Sequence, residues 1–427
     1  MSILRFRDKI FINSIWIMFE KILALFGLIF ITSFLAKYIG PENFGKLSFA
    51  TTLFAVVQTI STWGTDVICS KRLSQKHESG LRILLSISVL RGIIFFLTSI
   101  PLLLYMWFEV DLLSFIFAIA VGTATYIAIQ DVYIIYNDVT LKAIYNVFAN
   151  IIGLLVSLGL RFVIAYYELD PVYLVLPIIL IALIPFFIRR AIFIKKTSFK
   201  IKKLSYRHKI NYSKYIFISG FSLVLSAVAI TIYVNISQFL LGILVSKVSL
   251  GIFAVAVTLG GAWSFVNLAF LTSFTPKLYQ SKNEIEASKN TAKITKIMSL
   301  FAFFYFTFFY FTGKFFINKL YGNAYIDAFE ISLILIVATA FSNFGQVYAR
   351  YMFLFNGFKY LMYKTFCLMT FGVFLAYMLI SRYQIFGAAY TILIVEFLSL
   401  TLFNYFFRNF DVLKAQATLF GFVRKEK

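Results

Sequence analysis

Eight ionisable side chains interrupt stretches of sequence that are otherwise apolar. Glu20 and Lys21 fall in the first such stretch, Asp66 late in the second, Arg91 in the third and Asp131 late in the fourth. Arg161 lies in the fifth, Arg350 closes the tenth and Glu396 sits in the last. A charge surrounded by hydrocarbon is costly, so such groups face a water-filled path or one another. Two chemistries follow. Lys21, Arg91 and Arg161 can donate to an anion, Arg in the fork geometry that suits phosphate and carboxylate. Glu20, Asp66 and Glu396 can instead neutralise those cations and lock helices together. Pairing is the stronger expectation for Asp66, Asp131 and Arg350, which sit near an interface that their chains can reach.

Milder polar residues recur at helical spacing beside these charges. Asn146, Asn150, Gly153 and Ser157 form one row, with Arg161 roughly on the same face. Ser219, Ser222, Ser226 and Tyr233 form a second, and Thr339, Asn343, Gln346 and Arg350 a third. Such rows either line a cavity or let helices pack closely through small residues and interhelical hydrogen bonds.

The elements that must position these residues are membrane helices. The chain has 427 residues, 61% hydrophobic and 14% charged, against about 25% charged in soluble domains. A spanning helix needs about 20 apolar residues, and twelve stretches qualify. They run approximately 11–36, 44–70, 81–107, 112–135, 140–167, 171–194, 213–243, 246–275, 293–316, 325–350, 359–382 and 385–406. The expected fold class is an all-α integral membrane protein of about twelve transmembrane helices. The basic start followed by an apolar run that lacks a cleavage site is read as a retained first span.

Charge placement supports the count. With the N-terminus in the cytoplasm, 31 of the 40 Lys and Arg fall on the cytoplasmic side, six on the outer side and three inside spans. Basic residues are retained on the cytoplasmic side during insertion. The densest run, Arg189–Lys214, holds ten Lys or Arg and no Asp or Glu. It is expected to be a cytoplasmic loop beside anionic lipid rather than a nucleic-acid patch. Gly45 opening the second span and Gly251 opening the eighth stand in similar heptapeptides, and each precedes a lysine, Lys71 and Lys277, by the same interval. This suggests two parallel six-helix repeats. The expected organisation is an N-terminal lobe 1–190, a basic linker 191–212, a C-terminal lobe 213–406 and a basic cytoplasmic tail 407–427.

Catalysis finds no support. Gly40–Leu47 nearly matches a phosphate-binding loop, but Leu47 stands where a hydroxyl must hold magnesium, so it reads as a tight turn. His77 and His208 have no acidic or cysteine cluster at metal spacing. Cys69 and Cys367 imply no disulfide framework. No catalytic residue, metal or cofactor is expected, and a coupling ion, H+ or Na+, is left open.

The link Ala36-Lys37-Tyr38-Ile39-Gly40-Pro41-Glu42-Asn43-Phe44-Gly45 resembles that after the first span of bacterial polysaccharide-export flippases, the Wzx-like O-antigen flippases. Leu320–Tyr325 and Gly387-Ala388-Ala389 are similar to further landmarks of that family, and the resemblance extends over the whole chain in length, span count and basic mid-loop. Lys37 departs from it, standing where arginine is commoner. The family belongs to the multidrug/oligosaccharidyl-lipid/polysaccharide exporter superfamily. The resemblance implies two six-helix lobes around a central cavity that opens alternately to each side of a bacterial cytoplasmic membrane; the placement of basic residues puts both termini in the cytoplasm. The resemblance also implies an undecaprenyl-diphosphate-linked oligosaccharide as cargo, for O-antigen, lipopolysaccharide, capsule or exopolysaccharide synthesis, and a polysaccharide polymerase and chain-length machinery as partners. Lys21, Arg91 and Arg161 then suit the diphosphate by charge. A drug/cation antiporter or lipid II flippase of the same superfamily is the alternative, and a membrane glycan polymerase or acyltransferase a more distant one.

Overall fold

The computed structural model describes residues 2–196, 206–281 and 283–420, and within 2–31 only a few of the side chains. Every regular element among them is helical. A lipid-exposed backbone must satisfy its own hydrogen bonds, which a helix does within one segment.

The helices are α1 (Ser2–Thr62), α2 (Thr65–Gln75), α3 (His77–Glu109), α4 (Leu112–Gln130), α5 (Tyr133–Val139), α6 (Ala143–Tyr166), α7 (Val175–Lys196), α8 (Tyr206–Leu244), α9 (Lys247–Gly261), α10 (Ser264–Tyr279), α11 (Glu284–Leu320), α12 (Ala328–Leu354), α13 (Phe358–Leu400), α14 (Leu402–Tyr405) and α15 (Asp411–Ala417). Eight segments are long and apolar enough to cross a bilayer. One of these, Phe358–Tyr405, is broken at Gln384 and supplies two crossings. The 61-residue α1 is broken at Gly40 and supplies two more, and α9 followed by α10 makes another. The described residues thus carry the expected twelve spans of a multi-pass membrane protein.

The break in α1 has a local cause. Gly40 takes φ 75° and ψ 170°, a region open in practice only to glycine. Pro41 follows, with its ring preset for the first turn of the next helix and no N–H to lose.

Two helix ends repeat. After α5, Leu141 is left-handed (φ 55°) and the Lys142 N–H closes on the Asn137 carbonyl at 2.8 Å. After α12, Asn356 is left-handed (φ 60°) and the Gly357 N–H closes on the Met352 carbonyl at 2.8 Å. This is one cap geometry, used after the fourth span of each half. Glu168 (φ 48°) and Gln384 (φ 50°) likewise each lead into the last span of a half.

The chain forms two compact units, Met1–Thr231 and Ile232–Lys427. The division falls inside α8, because its first half packs with the N-terminal unit. Trp63 stacks on Phe217 at 4.6 Å between ring centroids and donates from Nε1 to the Phe217 carbonyl. The N-terminal unit has a core of Cys69, Leu73, Leu84, Ile87, Tyr136 and Phe193. The C-terminal unit has one of Leu278, Tyr348, Tyr351, Phe407, Val412 and Ala415.

One expectation is corrected. The basic stretch Arg189–Lys214 is not a loop throughout: α7 continues to Lys196 and α8 begins at Tyr206, while 197–205 lies outside the described residues. Long basic side chains reach water from a helix end, so the charges do not end the helix. In the C-terminal segment, Val412 and Ala415 of α15 are fully buried. Its described part is therefore packed, and 421–427 lies outside the described residues.

Candidate functional site

In the N-terminal unit the charges gather where two spans are interrupted. The second span breaks at Trp63 and Gly64, both left-handed. A Cβ on Gly64 would stand 2.6 Å from that of Leu223, so the break needs glycine for backbone and space alike. α2 then starts with Thr65 and Asp66. The fourth span breaks at Asp131, between α4 and α5, which frees the last carbonyls of α4.

Arg91 of α3 joins the two breaks. It is 2% exposed. Its Nε donates to Thr65 Oγ1 at 2.8 Å, its Nη1 to the Ile129 carbonyl at 2.7 Å and its Nη2 to Asp66 Oδ1. Asp131, equally enclosed, accepts from Arg189 Nε at 2.7 Å, and Arg189 Nη1 donates to Asn150 Oδ1 at 2.7 Å. Two arginines, from α3 and α7, therefore clasp the end of α4. Both are matched by a carboxylate, which is the arrangement a buried charge requires.

The polar row on α6 serves the same packing. Asn146 accepts from Asn137 and Asn150 from Arg189; Ser157 donates to the Pro177 carbonyl at 2.9 Å, and Gly153 lies against Pro185. Arg161 differs. Its Nε is buried without a hydrogen-bond partner, and no ion pair reaches it among the described residues. The side chains of Glu20 and Lys21 lie outside the described residues.

In the C-terminal unit Glu396 borders a cavity of about 220 Å³, with Tyr233, Ser237, Gln238, Thr339 and Ser342. Tyr233 of α8 donates to Glu396 Oε1 at 2.6 Å, and Ser342 of α12 also donates to this carboxylate. Lys364 of α13 donates to Asn404 Oδ1 at 2.7 Å, and its charge attracts Glu396. A carboxylate with two hydroxyl donors in a cavity large enough for water can hold a proton or a small cation. Of the row on α12, Thr339 lines this cavity, Asn343 donates to Ser264 Oγ at 3.2 Å, and Arg350 donates to the Gln346 carbonyl at 3.1 Å.

The structure thus joins Asp66 to Arg91, gives Glu396 a hydroxyl partner and keeps Arg161 apart from every described carboxylate. Two participants escaped the sequence: Arg189, which reads as part of the basic stretch, and Lys364, which counts with the cytoplasmic charges although it lies at the start of the eleventh span. Arg189 is buried and Lys364 partly so. No cluster of His, Cys, Asp and Glu among the described residues has the makings of a metal site.

Comparison with known proteins follows from this fold. The structure is similar to that of a lipid II flippase, MurJ, in an inward closed conformation, with a TM-score of 0.69, 16% identity, and 96% of this chain and 91% of that one covered. It is similar to an inward-facing multidrug resistance MATE family transporter of the MOP superfamily, with a TM-score of 0.66, 12% identity and coverages of 91% and 94%. A MOP superfamily transporter from Pyrococcus furiosus matches at a TM-score of 0.56, 13% identity and coverages of 98% and 96%. At these identities the likeness is one of fold. A search of curated proteins finds no match to the sequence. The family model described as polysaccharide biosynthesis protein matches residues 7–282, and the chain, with its twelve spans and its charges buried in helical breaks, belongs to that family.

Proposed function

We propose that the protein is a flippase that moves lipid-linked oligosaccharide repeat units across a bacterial cytoplasmic membrane by alternating access. The observation that carries this is the coincidence of two findings: membership of a polysaccharide biosynthesis family, and a fold shared with a lipid II flippase. The cargo is an undecaprenyl-diphosphate-linked glycan destined for O-antigen, capsule or exopolysaccharide. Both termini and the basic linker 191–212 are cytoplasmic, between lobes 1–190 and 213–406, and a polymerase with chain-length machinery receives the product. Arg161 is the cation best placed to meet the diphosphate, since it has no carboxylate partner among the described residues; Lys21 is the second by charge. Glu396, with Tyr233 and Ser342 around it, is the position for a coupling H+ or Na+. The chain changes no bond in its cargo.

The test is depletion of the protein in its own cell. Fully assembled lipid-linked repeat units should accumulate on the inner leaflet. Accumulation of shortened or unmodified sugars would point to an enzyme and overturn the proposal. Loss of drug efflux with normal polysaccharide would favour the antiporter, the reading to which the Glu396 carboxylate also lends itself.

A further inference from the structure

A second cavity in the C-terminal unit is lined by residues other than those around Glu396. Its volume is about 530 Å³, within the roughly 300–1,000 Å³ of small-molecule sites. Ser249, Lys314, Asp327, Glu330, Gln384 and Phe386 line it, with Phe329 among them. α9, α12 and the part of α13 after Gln384 all start here, and α11 nears its end. This is the end of the unit opposite to the basic stretch, by the alternation of spans.

Its charged groups, Lys314, Asp327 and Glu330, are all solvent-exposed. Lys314 Nζ stands over the Phe329 ring, 5.2 Å from the centroid, and Phe329 is backed by Phe309. The ammonium is thus held by an aromatic face. Among the described residues, neither Asp327 nor Glu330 forms an ion pair with it. Cation and carboxylates share one cavity, with their donors and acceptors left open. Gln384 adds an amide from a strained backbone, φ 50° and ψ −123°, of the kind that collects at binding sites.

The electrostatics narrow the ligand. Two carboxylates are offset by Lys314 and by three helix N-termini, each equivalent to about +0.5 charge. The cavity is therefore close to neutral, which favours neither a phosphate nor a metal ion. It offers carboxylates to accept from hydroxyls, an ammonium and an amide to donate to them, and the half-buried ring of Phe386 for an apolar face. A sugar ring has that pattern: hydroxyls at its edge and C–H groups on one face.

We propose that this cavity is a saccharide subsite, which takes one sugar of the cargo headgroup at the outer face of the C-terminal unit. The proposal rests on the flippase reading for its cargo, and gives the glycan a docking point separate from that of the diphosphate.

The experiment uses the full chain in lipid nanodiscs. The probe is the oligosaccharide released by mild acid from the lipid carrier of the same bacterium. Binding is read by saturation-transfer NMR and calorimetry. The native protein should bind it. The double variant Asp327→Asn/Glu330→Gln should lose at least tenfold in affinity and Lys314→Gln several-fold, all at unchanged thermal stability. Glu109→Gln, an outer carboxylate of the N-terminal unit, should bind normally. Equal affinity in the native protein and the double variant, absence of binding to the native protein, or displacement of the sugar by phosphorylethanolamine would overturn the subsite. A flipping assay on the same preparations separates the two ideas. Transport without oligosaccharide binding defeats the subsite alone, and binding without transport of lipid-linked cargo defeats the flippase reading alone.

Discussion

Arg91 shows how the meaning of a membrane charge depends on its neighbours. As a residue type in mid-span it suits an anionic cargo; in the fold it is matched by Asp66, Thr65 and a helix-terminal carbonyl. Arg91 is enclosed while the Asp66 carboxylate is more than half exposed, so losing the arginine orphans chiefly the buried Thr65 hydroxyl and the Ile129 carbonyl, at about 1–3 kcal/mol each. Arg91→Ala should therefore lower the melting temperature and the amount of protein in the membrane, and Arg91→Lys should lower them less. Arg161→Ala should behave in the opposite way, with normal stability and most export lost. A stable Arg91→Ala protein that cannot export would return Arg91 to the cargo path. The candidates were legible in the sequence because hydrocarbon makes any charge conspicuous. Their pairing was not, since Asp66 and Arg91 are brought together only by the break at Trp63 and Gly64. Arg189 was hidden for another reason: six more basic residues follow it by Lys203, and nothing local says which of them is buried.

The number and centres of the helices were legible because apolar length decides them, but α1, α8 and α11 begin seven to nine residues before the expected spans. Their interruptions were less so. Gly40-Pro41 announces a turn, but Asp131 and Gln384 are ordinary helix residues whose breaks are set by tertiary contacts. Gly64 tests this scale. Alanine there would carry a left-handed backbone, costing about 1–2 kcal/mol, and would also press on Leu223. Gly64→Ala should lower the melting temperature, whereas Gly159→Ala, with nothing within 4 Å of the added carbon, should leave it equal or slightly higher. The link between α3 and α4 gives a pH prediction. Burial tends to raise the Asp111 pKa, but hydrogen bonds from Ser114 and the Lys46 ammonium more than offset it and hold the carboxyl below its usual range. A carboxylate whose pKa is lowered on folding stabilises above its unfolded value, about 3.9, and that contribution is lost as the pH falls through the folded value. The pair is half-exposed, so the effect should stay under about 1 kcal/mol. Melting curves from pH 6 to pH 3 should show a small acid-dependent loss that Asp111→Asn removes; an unchanged pH dependence in that variant would refute the assignment.

At the scale of the molecule, the span count and the internal repetition were both readable, the first from composition and the second from faint heptapeptides that the matching caps at Leu141 and Asn356 reinforce. The division inside α8 was not, because it depends on Trp63 gripping Phe217 rather than on any change in composition. The proposed orientation rests on the basic residues and is open to labelling. Single cysteines at Lys247 and Arg382 should react with an impermeant reagent outside intact cells, and one at Lys202 should not; a reactive Lys202 position would invert or dismantle the topology. The central claim concerns what crosses. Proteoliposomes holding the purified protein and a fluorescent undecaprenyl-diphosphate oligosaccharide in both leaflets can be treated with an impermeant glycan-oxidising reagent. A flippase should carry the protected half of the label to the reagent within minutes, with Arg161→Ala proteoliposomes close to protein-free ones. If native protein leaves half the label protected under every gradient of H+ and Na+ tried, while the lipids themselves remain mixed and the protein folded, the chain does not flip this cargo.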